Sequence, residues 1–286
     1  MALTEQLLQF ATASVTTPQG AVQYRRATTP GYAGGVTHVL LHGIGSASGN
    51  WLGQLLAAST ANGCTGDVLA WDAPGYGASD ALPVAHPRAA DYAARMWAWL
   101  DALNVDAGQT LTLVGHSLGA LMAAAATVQA PQRVQRLVLL APARGYGTAE
   151  AQVRQKKLSD RLASLAQLGP AGMAQKRAAM MLSAQATSDQ VALVEHMMAS
   201  IHVHGYTQAS HMLSNGDLAS DLARVSCPVT IASGSADTIT PAEGCEALAR
   251  HIGTPYISLG AVGHSCALEA AAVVNTLLGL SPEQDG

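Results

Sequence analysis

A serine within Gly115-His116-Ser117-Leu118-Gly119 is the residue best placed to do chemistry. An apolar run at 110–114 comes directly before this stretch and predicts a strand, and the Ala-rich stretch 118–130 predicts a helix. A serine on so tight a turn adopts strained backbone angles, and the flanking glycines leave room for the neighbouring strand and helix. Because such a turn lifts the Ser117 hydroxyl above the edge of the sheet, we expect a nucleophile there.

A base and an acid for this serine are available further along the chain. A serine hydroxyl is a poor nucleophile at neutral pH and needs a neighbouring base. Among ten histidines, His264 follows the last predicted strand, at 255–259. Asp237 follows the predicted strand at 229–233, where its carboxylate would orient the imidazole. Each has an ordinary structural explanation, a loop histidine and a helix-capping aspartate, but the chain order Ser, Asp, His favours catalysis.

Short apolar runs alternate with helix-like segments along most of the chain. Strands are predicted at 37–41, 67–71, 110–114, 136–141, 229–233 and 255–259, and helices at 51–61, 87–103, 118–130, 241–252 and 266–278. A short helix at 5–12 and a hairpin at 15–26 precede them. This alternation predicts an α/β fold with a mostly parallel central sheet and helices on both faces.

One stretch, the 144–224 segment, interrupts this alternation. It contains helix-like runs at 148–168, 171–184, 187–201 and 206–213 and no strand-like run. We therefore predict one core domain formed by residues 1–143 and 225–286, with the 144–224 segment as a helical insertion between two of its strands.

Five stretches of the chain, taken in order, resemble the α/β-hydrolase family, in particular its lactonases, esterases and meta-cleavage-product hydrolases. They are Leu41-His42-Gly43-Ile44-Gly45, Asp72-Ala73-Pro74-Gly75-Tyr76-Gly77-Ala78-Ser79, Gly115-His116-Ser117-Leu118-Gly119, Gly234-Ser235-Ala236-Asp237 and Gly263-His264. The resemblance covers nearly the whole chain apart from the 144–224 segment. It implies an α/β-hydrolase fold with Ser117 as nucleophile, His264 as base, Asp237 as acid, no cofactor, and the 144–224 segment as a lid, or cap, over the active site.

Two backbone N–H groups are expected to hold the oxyanion that forms when the serine attacks a carbonyl. Leu118 stands at the start of a helix, where negative charge is favoured, and Ile44 lies in the loop where the family places its second donor. Weaker candidates for substrate contact are Gly43, Trp51, His116 and Met181. Trp51 is equally well explained as a core residue, and six methionines between 173 and 212 are more commonly helix core than an adaptable pocket wall.

Two other positions compete for the role of the acid. Asp72 also ends a predicted strand, but Asp72-Ala73-Pro74-Gly75 matches a structural loop of the family. Some family members carry the acid one strand earlier, where this chain has Ala141-Pro142-Ala143-Arg144 and no carboxylate. Asp237 is therefore preferred.

Basic residues are concentrated at the beginning of the 144–224 segment. Between Arg144 and Arg177 there are seven Lys or Arg against two acidic residues, whereas the whole chain has a net charge of −4. Such a lid would steer a carboxylate-bearing substrate inward, with Arg144, Arg154 and Arg161 as the candidates that bind it. The commoner alternative is a solvated helix face. His202-Val203-His204 has no carboxylate or Cys nearby at ligand spacing, so we expect no metal.

The composition of the chain narrows its class and its partners. Its 286 residues are 49% apolar and 12% charged, which excludes a disordered chain and fits one large domain. A weakly negative chain gives no reason to expect a nucleic-acid partner.

We expect the four Cys of the chain to be reduced thiols in the cytoplasm, since they form no metal motif and no secretory signal begins the chain. The uncharged stretch 107–132 is better explained by a buried strand and helix than by a membrane span. We expect no membrane partner and leave a homo-oligomer open.

These features together predict a serine hydrolase acting on a small carboxylic ester or lactone, with a carboxylate on the substrate and a place in aromatic catabolism that the resemblance suggests. The alternative within the fold is hydrolysis of a carbon–carbon bond in a ring-cleavage product. Such enzymes usually carry Pro-Gly after the His-Gly and a Trp after the base, where this chain has Ser46-Ala47 and Ser265. Epoxide hydrolysis and dehalogenation need Asp in place of Ser117. A cofactor-free dioxygenase, a haloperoxidase-like activity and a non-catalytic ligand-binding protein are weaker alternatives.

Overall fold

The computed structural model describes residues 1–60 and 66–281, and within them eight strands form a single sheet. The strands are β1 (Ala13–Thr17), β2 (Gly20–Thr28), β3 (His38–Leu41), β4 (Asp67–Trp71), β5 (Leu111–His116), β6 (Val134–Leu140), β7 (Val229–Ser233) and β8 (Tyr256–Ser258). Their spatial order is β1-β2-β4-β3-β5-β6-β7-β8. The hairpin of β1 and β2 is antiparallel and β2 runs antiparallel to β4, whereas β3 to β8 are mutually parallel.

Helices cover both faces of the sheet. They are α1 (Leu3–Leu7), α2 (Leu52–Ala58), α3 (Ala89–Ala102), α4 (Gly119–Gln129), α5 (Ala151–Arg177), α6 (Ser188–Ala199), α7 (Val203–Asn215), α8 (Leu218–Leu222), α9 (Ala242–Ile252), α10 (Cys266–Glu269) and α11 (Ala271–Leu278). Successive strand side chains point to opposite faces, so Val39 and Leu41 join the core that contains α3 and α4, while Leu40 joins the one that contains α2 and α11. Every residue of β3, β4 and β5 is buried, because helices cover both faces of the sheet, and this explains why their sequences are largely apolar.

The predicted α/β class with a mostly parallel sheet is confirmed. Four helical details differ from the sequence prediction. The first helix ends at Leu7 rather than at residue 12, and the last predicted helix divides at Ala270. The predicted helices at 148–168 and 171–184 correspond to the bent α5, in which Gly169 adopts φ 62° and Pro170 opens a second helical run, but α5 ends at Arg177 rather than at residue 184. Short α8 was not predicted.

The 144–224 segment, which carries α5 to α8, lies in the chain between β6 and β7. Its predicted role as a separate lid stays a prediction. Cys64 and the end of the helix predicted at 51–61 lie outside the described residues. Among residues 1–60 and 66–281, no helix combines the length and apolar character that a membrane span requires.

Candidate active site

Ser117 stands on the turn between β5 and α4, with a backbone φ of 52° that side-chain-bearing residues rarely adopt. Its N–H donates to the Leu140 carbonyl at 2.9 Å, which ties the turn to the end of β6. A Cβ on Gly115 would lie 2.5 Å from the Gly119 carbonyl oxygen, and one on Gly119 would run into the Leu41 carbonyl. Both glycines are therefore required by close backbone approach, as the sequence indicated.

Asp237 and His264 form a buried pair on the loops that follow β7 and β8. The Nδ1–H of His264 donates to Oδ2 of Asp237 at 2.9 Å, and the two residues are only 6% and 4% exposed. Oδ1 of Asp237 accepts the N–H groups of Ile239 at 2.7 Å and Thr240 at 3.0 Å. Burial by itself would raise the pKa of Asp237, but its bonds to His264 and Thr240 outweigh burial and hold that pKa below its usual range.

Ser117 and His264 line the same cavity, which has a volume of about 220 Å³. The Ser117 hydroxyl makes no hydrogen bond to any described residue, His264 included, and it faces this cavity. Contacts between a nucleophile and its base are often long in ligand-free proteins and tighten when substrate binds. The structure thus brings serine, histidine and aspartate together from distant parts of the chain.

Two backbone N–H groups beside Ser117 have no acceptor within the described part of the chain. They belong to Ile44, which lines the cavity, and to Leu118, which precedes the first residue of α4. The Gly43 backbone lies close by, since a Cβ there would be 2.9 Å from the Cβ of Ser117. Unpaired donors flanking a hydroxyl form the arrangement that stabilises an oxyanion.

His42 and Asp72 hold the loop that carries Ile44. The Nδ1–H of His42 donates to the Gly43 carbonyl at 2.8 Å, while its Nε2 accepts the Ala73 N–H at 3.0 Å. Complete burial lowers the pKa of His42 and keeps it neutral. Oδ1 of Asp72 accepts the Ser48 N–H at 2.7 Å. Asp72 is engaged with this loop rather than with His264.

His116 supports the backbone of His264. Its Nε2–H donates to the His264 carbonyl at 2.8 Å, and burial lowers the pKa of His116 to about 3. Trp51 is fully buried and packs edge-on against His116 with ring centroids 6.3 Å apart. Neither residue lines the 220 Å³ cavity. The idea that Trp51 walls the substrate site is wrong, because its large apolar ring is enclosed in the core below the turn.

Arginines line the cavity on the side of the 144–224 segment. Arg144 and Arg161 do so as predicted, together with Arg177, which the sequence analysis did not single out. Arg154 does not line it: it shares a face of α5 with Arg161 but lies two turns, about 10 Å, nearer the start of the helix. In residues 1–60 and 66–281, none of the three lining arginines lies within 4.0 Å of a carboxylate. Nη1 of Arg161 is 3.5 Å from the hydroxyl of Tyr206.

The remaining cavity wall is largely apolar and includes Met181, as predicted, with Met198 and Tyr206. Thr240 also lines the cavity and contacts the Asp237–His264 pair. Thr240 was not among the sequence candidates, although an Asp commonly accepts the backbone N–H of the residue three positions after it, which brings that residue beside its carboxylate. Within the described residues, no group of three or more His, Cys, Asp or Glu is arranged to hold a metal ion.

Comparison with known proteins agrees with this geometry. The model of the serine aminopeptidase, S33, family matches residues 36–261. A Klebsiella pneumoniae protein provisionally named carbamate hydrolase RutD is 26% identical over 249 residues, which cover 84% of this chain and 88% of that protein. The 3-oxoadipate enol-lactonase 2 of Acinetobacter baylyi is 26% identical over 188 residues, which cover 65% of this chain and 67% of that protein.

Solved structures show the same architecture. The enol-lactonase from Burkholderia xenovorans superimposes with a TM-score of 0.79 at 19% identity, covering 94% of this chain and 99% of that one. A thermophilic esterase from Thermogutta terrifontis gives a TM-score of 0.77 at 20% identity, covering 95% of this chain and 100% of the other. At such identities the likeness establishes the α/β-hydrolase fold.

Proposed function

The chain belongs to the serine aminopeptidase, S33, family and is a hydrolase with the α/β-hydrolase fold, and from this premise we propose that it cleaves a small carboxylic ester or lactone through an acyl-enzyme on Ser117. One observation carries the proposal. His264, which is hydrogen-bonded to Asp237, lines the same cavity as Ser117, whose hydroxyl is flanked by two N–H groups without an acceptor among the described residues.

In the acylation step, Oγ of Ser117 attacks the carbonyl carbon of the ester while Nε2 of His264 takes the hydroxyl proton. The Asp237 carboxylate stabilises the imidazolium that forms, through the bond at Nδ1. The developing oxyanion accepts hydrogen bonds from the N–H groups of Ile44 and Leu118, which have no other described acceptor to give up. The dipole of α4 adds favourable potential at its N-terminal end.

The imidazolium of His264 then returns its proton to the leaving oxygen, and the carbon–oxygen bond to the alcohol breaks. In a lactone, the freed alcohol stays on the same molecule as the acyl group. A water molecule gives its proton to His264 as it attacks the acyl carbon, and breakage of the bond to Ser117 regenerates the hydroxyl. Each step uses groups of this chain together with water.

The substrate we propose carries a carboxylate. Three guanidinium groups, those of Arg144, Arg161 and Arg177, line a partly apolar cavity without a carboxylate partner among the described residues. Because charges attract more strongly in a cavity with low-dielectric walls than in water, this arrangement favours an anionic substrate over a neutral one. The 144–224 segment, which supplies these arginines, would act as the lid of a core formed by residues 1–143 and 225–286.

Covalent labelling tests the assignment of Ser117. A fluorophosphonate should add to this residue, which peptide mass mapping would locate, and Ser117→Ala should lose both the label and the hydrolysis of simple esters. We expect turnover to fall at least about 10³-fold with the fold intact by circular dichroism. Labelling at another serine, or near-normal turnover by Ser117→Ala, would refute the assignment. Product analysis with a dienoic ring-cleavage substrate separates ester cleavage from carbon–carbon cleavage.

A further inference from the structure

The hydroxyl of Thr240 lies at the centre of a set of contacts around the proposed base and acid. Its Oγ1 is 2.8 Å from Oδ2 of Asp237, 3.2 Å from Nδ1 of His264 and 3.0 Å from the carbonyl oxygen of Ala141. Asp237 Oδ2 is also the atom that accepts the His264 Nδ1–H. A single hydroxyl therefore contacts both members of the pair and the end of β6.

Asp237 has a complete set of donors only if Thr240 contributes. Oδ1 receives two backbone N–H groups, from Ile239 and Thr240, while Oδ2 receives the His264 Nδ1–H and the Thr240 hydroxyl. A carboxylate with both oxygens bonded twice is fixed in orientation as well as in charge. Without the hydroxyl, Oδ1 would keep its two backbone donors and Oδ2 would accept from His264 alone, so Oδ2 would have one bond fewer to stop it turning away from His264.

A second acceptor, the Ala141 carbonyl just beyond the end of β6, lies within reach of the Thr240 hydroxyl. Ala141 follows that strand with a φ of 44°, a strained value for a residue with a side chain, and its N–H donates to the Ala232 carbonyl at 2.7 Å. The Ala141 carbonyl is thereby held next to Thr240. The hydroxyl has one proton for two acceptors, and the shorter contact and the negative charge both favour Oδ2 of Asp237 over the Ala141 carbonyl.

Three titratable groups buried near the pair, His116, Cys245 and Cys266, are uncharged near neutral pH, while Arg144, Arg161 and Arg177 line the cavity and Glu269 accepts the N–H of Gly263. Burial lowers the pKa of His116, whose ring centroid is 4.9 Å from that of His264, to about 3. Burial raises the pKa of the Cys245 thiol to about 11 and that of the Cys266 thiol further still. None of the four charged groups bonds to Thr240, so a variant that removes only the Thr240 hydroxyl leaves their contacts unchanged.

We propose that Thr240 is a positioning residue of this hydrolase, whose hydroxyl fixes the Asp237 carboxylate so that it holds His264 in the tautomer and orientation of a base. The inference rests on the proposed function, in which His264 takes the proton of Ser117. Thr240 acts through Asp237 and not on the reacting bond, although it lines the cavity. Its loss should lower kcat and shift the pH profile, with little effect on KM.

Thr240→Val, which keeps the shape and removes the hydroxyl, is the central variant, with Thr240→Ala as a second hydroxyl-free form. We expect kcat for a simple ester to fall about tenfold, since a hydrogen bond to a charged group is lost. The acid limb of the kcat/KM profile should move to lower pH, because a carboxylate that turns away from His264 stabilises the protonated imidazole less. The ¹H NMR signal of the His264 Nδ1 proton should shift in the absence of substrate. Thr240→Ser should restore the wild-type profile and kcat to within about threefold.

Thr127→Val is the matched control, because it removes a buried hydroxyl that donates to the Ala123 carbonyl at 2.8 Å within α4. It should lower the melting temperature without moving the pH profile. The inference is overturned if Thr240→Val and Thr240→Ala keep the wild-type profile and Nδ1 signal, or if Thr240→Ser is as impaired as they are. Retained activity in Ser117→Ala would instead refute the proposed function, so the two failures are distinguishable.

Discussion

The loops at the carboxyl ends of the sheet strands and the 144–224 segment contribute to the cavity in different ways. On the sheet side, His42, His264 and Asp237 are buried, and each is held by two or more hydrogen bonds. On the other side, the polar group of Arg161 has one long contact to Tyr206, and the methionines present flexible apolar surface. The groups proposed to exchange protons are fixed, whereas the groups proposed to meet the substrate are left adaptable.

The carboxylate of Glu269 contacts both regions. Glu269 accepts the N–H of Ser183 at 3.0 Å and its hydroxyl at 2.6 Å through Oε1, and the N–H of Gly263 at 2.8 Å through Oε2. The N–H of Ser265 donates to the Met181 carbonyl at 2.7 Å. The part of the 144–224 segment that lines the cavity is thereby attached to the loop that carries His264. The adaptable wall has a fixed edge next to the base.

If the rate depends mainly on the fixed positions of Asp237 and His264, then replacing the proposed acid should lower kcat more than any other change described below. Asp237→Asn should lower kcat about 10⁴-fold, because the amide cannot hold the imidazole in the required tautomer or stabilise its charged form. Steady-state kinetics on a simple ester would measure this loss. Asp72→Asn is the matched control, since an amide oxygen there can still accept the Ser48 N–H. We expect that control to stay within about tenfold of wild type in kcat. A larger loss at Asp72 than at Asp237 would reverse the roles given to the two carboxylates.

Buried neutral histidines should make the sheet region sensitive to acid. Burial lowers the pKa of His38 from 6.5 to about 4, while its Nε2–H donates to the Leu278 carbonyl at 2.9 Å. Between these two values the unfolded chain binds a proton that the folded protein does not, so the free energy of unfolding falls as the pH drops from about 6.5 to 4. His38 alone accounts for about 3 kcal/mol over this range.

Urea unfolding measured between pH 7 and pH 4.5 would test whether the buried His38 makes the free energy of unfolding depend on pH. His38→Gln should flatten the dependence of unfolding free energy on pH by about 1.4 kcal/mol per pH unit in this window. His204→Gln, at an exposed position on α7, should leave the slope as it is in the wild type. An unchanged slope in His38→Gln would show that this histidine is protonated in the folded protein.

The arginines of the 144–224 segment should affect the preference for an anionic over a neutral ester more than they affect the rate of ester cleavage itself. Arg161→Gln and Arg177→Gln should each lower kcat/KM about tenfold for a carboxylate-bearing ester, and less than about twofold for a neutral ester of the same size. Raising the ionic strength should reduce the preference of the wild type for the anionic ester. Competition between the two esters in one reaction would measure this ratio directly.

Arg154→Gln is the matched control, because it removes the same charge from the same helix at a position that does not line the cavity. It should leave the ratio between the anionic and neutral esters unchanged. Equal losses in all three arginine variants would mean that the general charge of α5 matters rather than contacts in the cavity. Equal losses on both esters would remove the anionic substrate from the proposal.

The sequence predicted most of the sheet region because its signals are local. Apolar runs that end in glycine or aspartate marked the parallel strands, and Gly115 and Gly119 marked the turn at Ser117, since backbone contact there excludes a side chain. The 144–224 segment was predicted less accurately. Helical periodicity identified its helices, but it did not show that Gly169-Pro170 bends α5 or which arginines reach the cavity.

The sequence by itself determined the class of fold and the identity of the three residues proposed to form the catalytic set. Strand periodicity and turn chemistry depend on neighbouring residues, and the order of the three residues is visible along the chain. Only the tertiary structure decided that Arg177 and not Arg154 lines the cavity, that Trp51 lies in the core, and that Thr240 bonds to Asp237. The positions of these side chains depend on which strand ends and helix faces meet in space, and packing between segments far apart in the chain decides which of them meet.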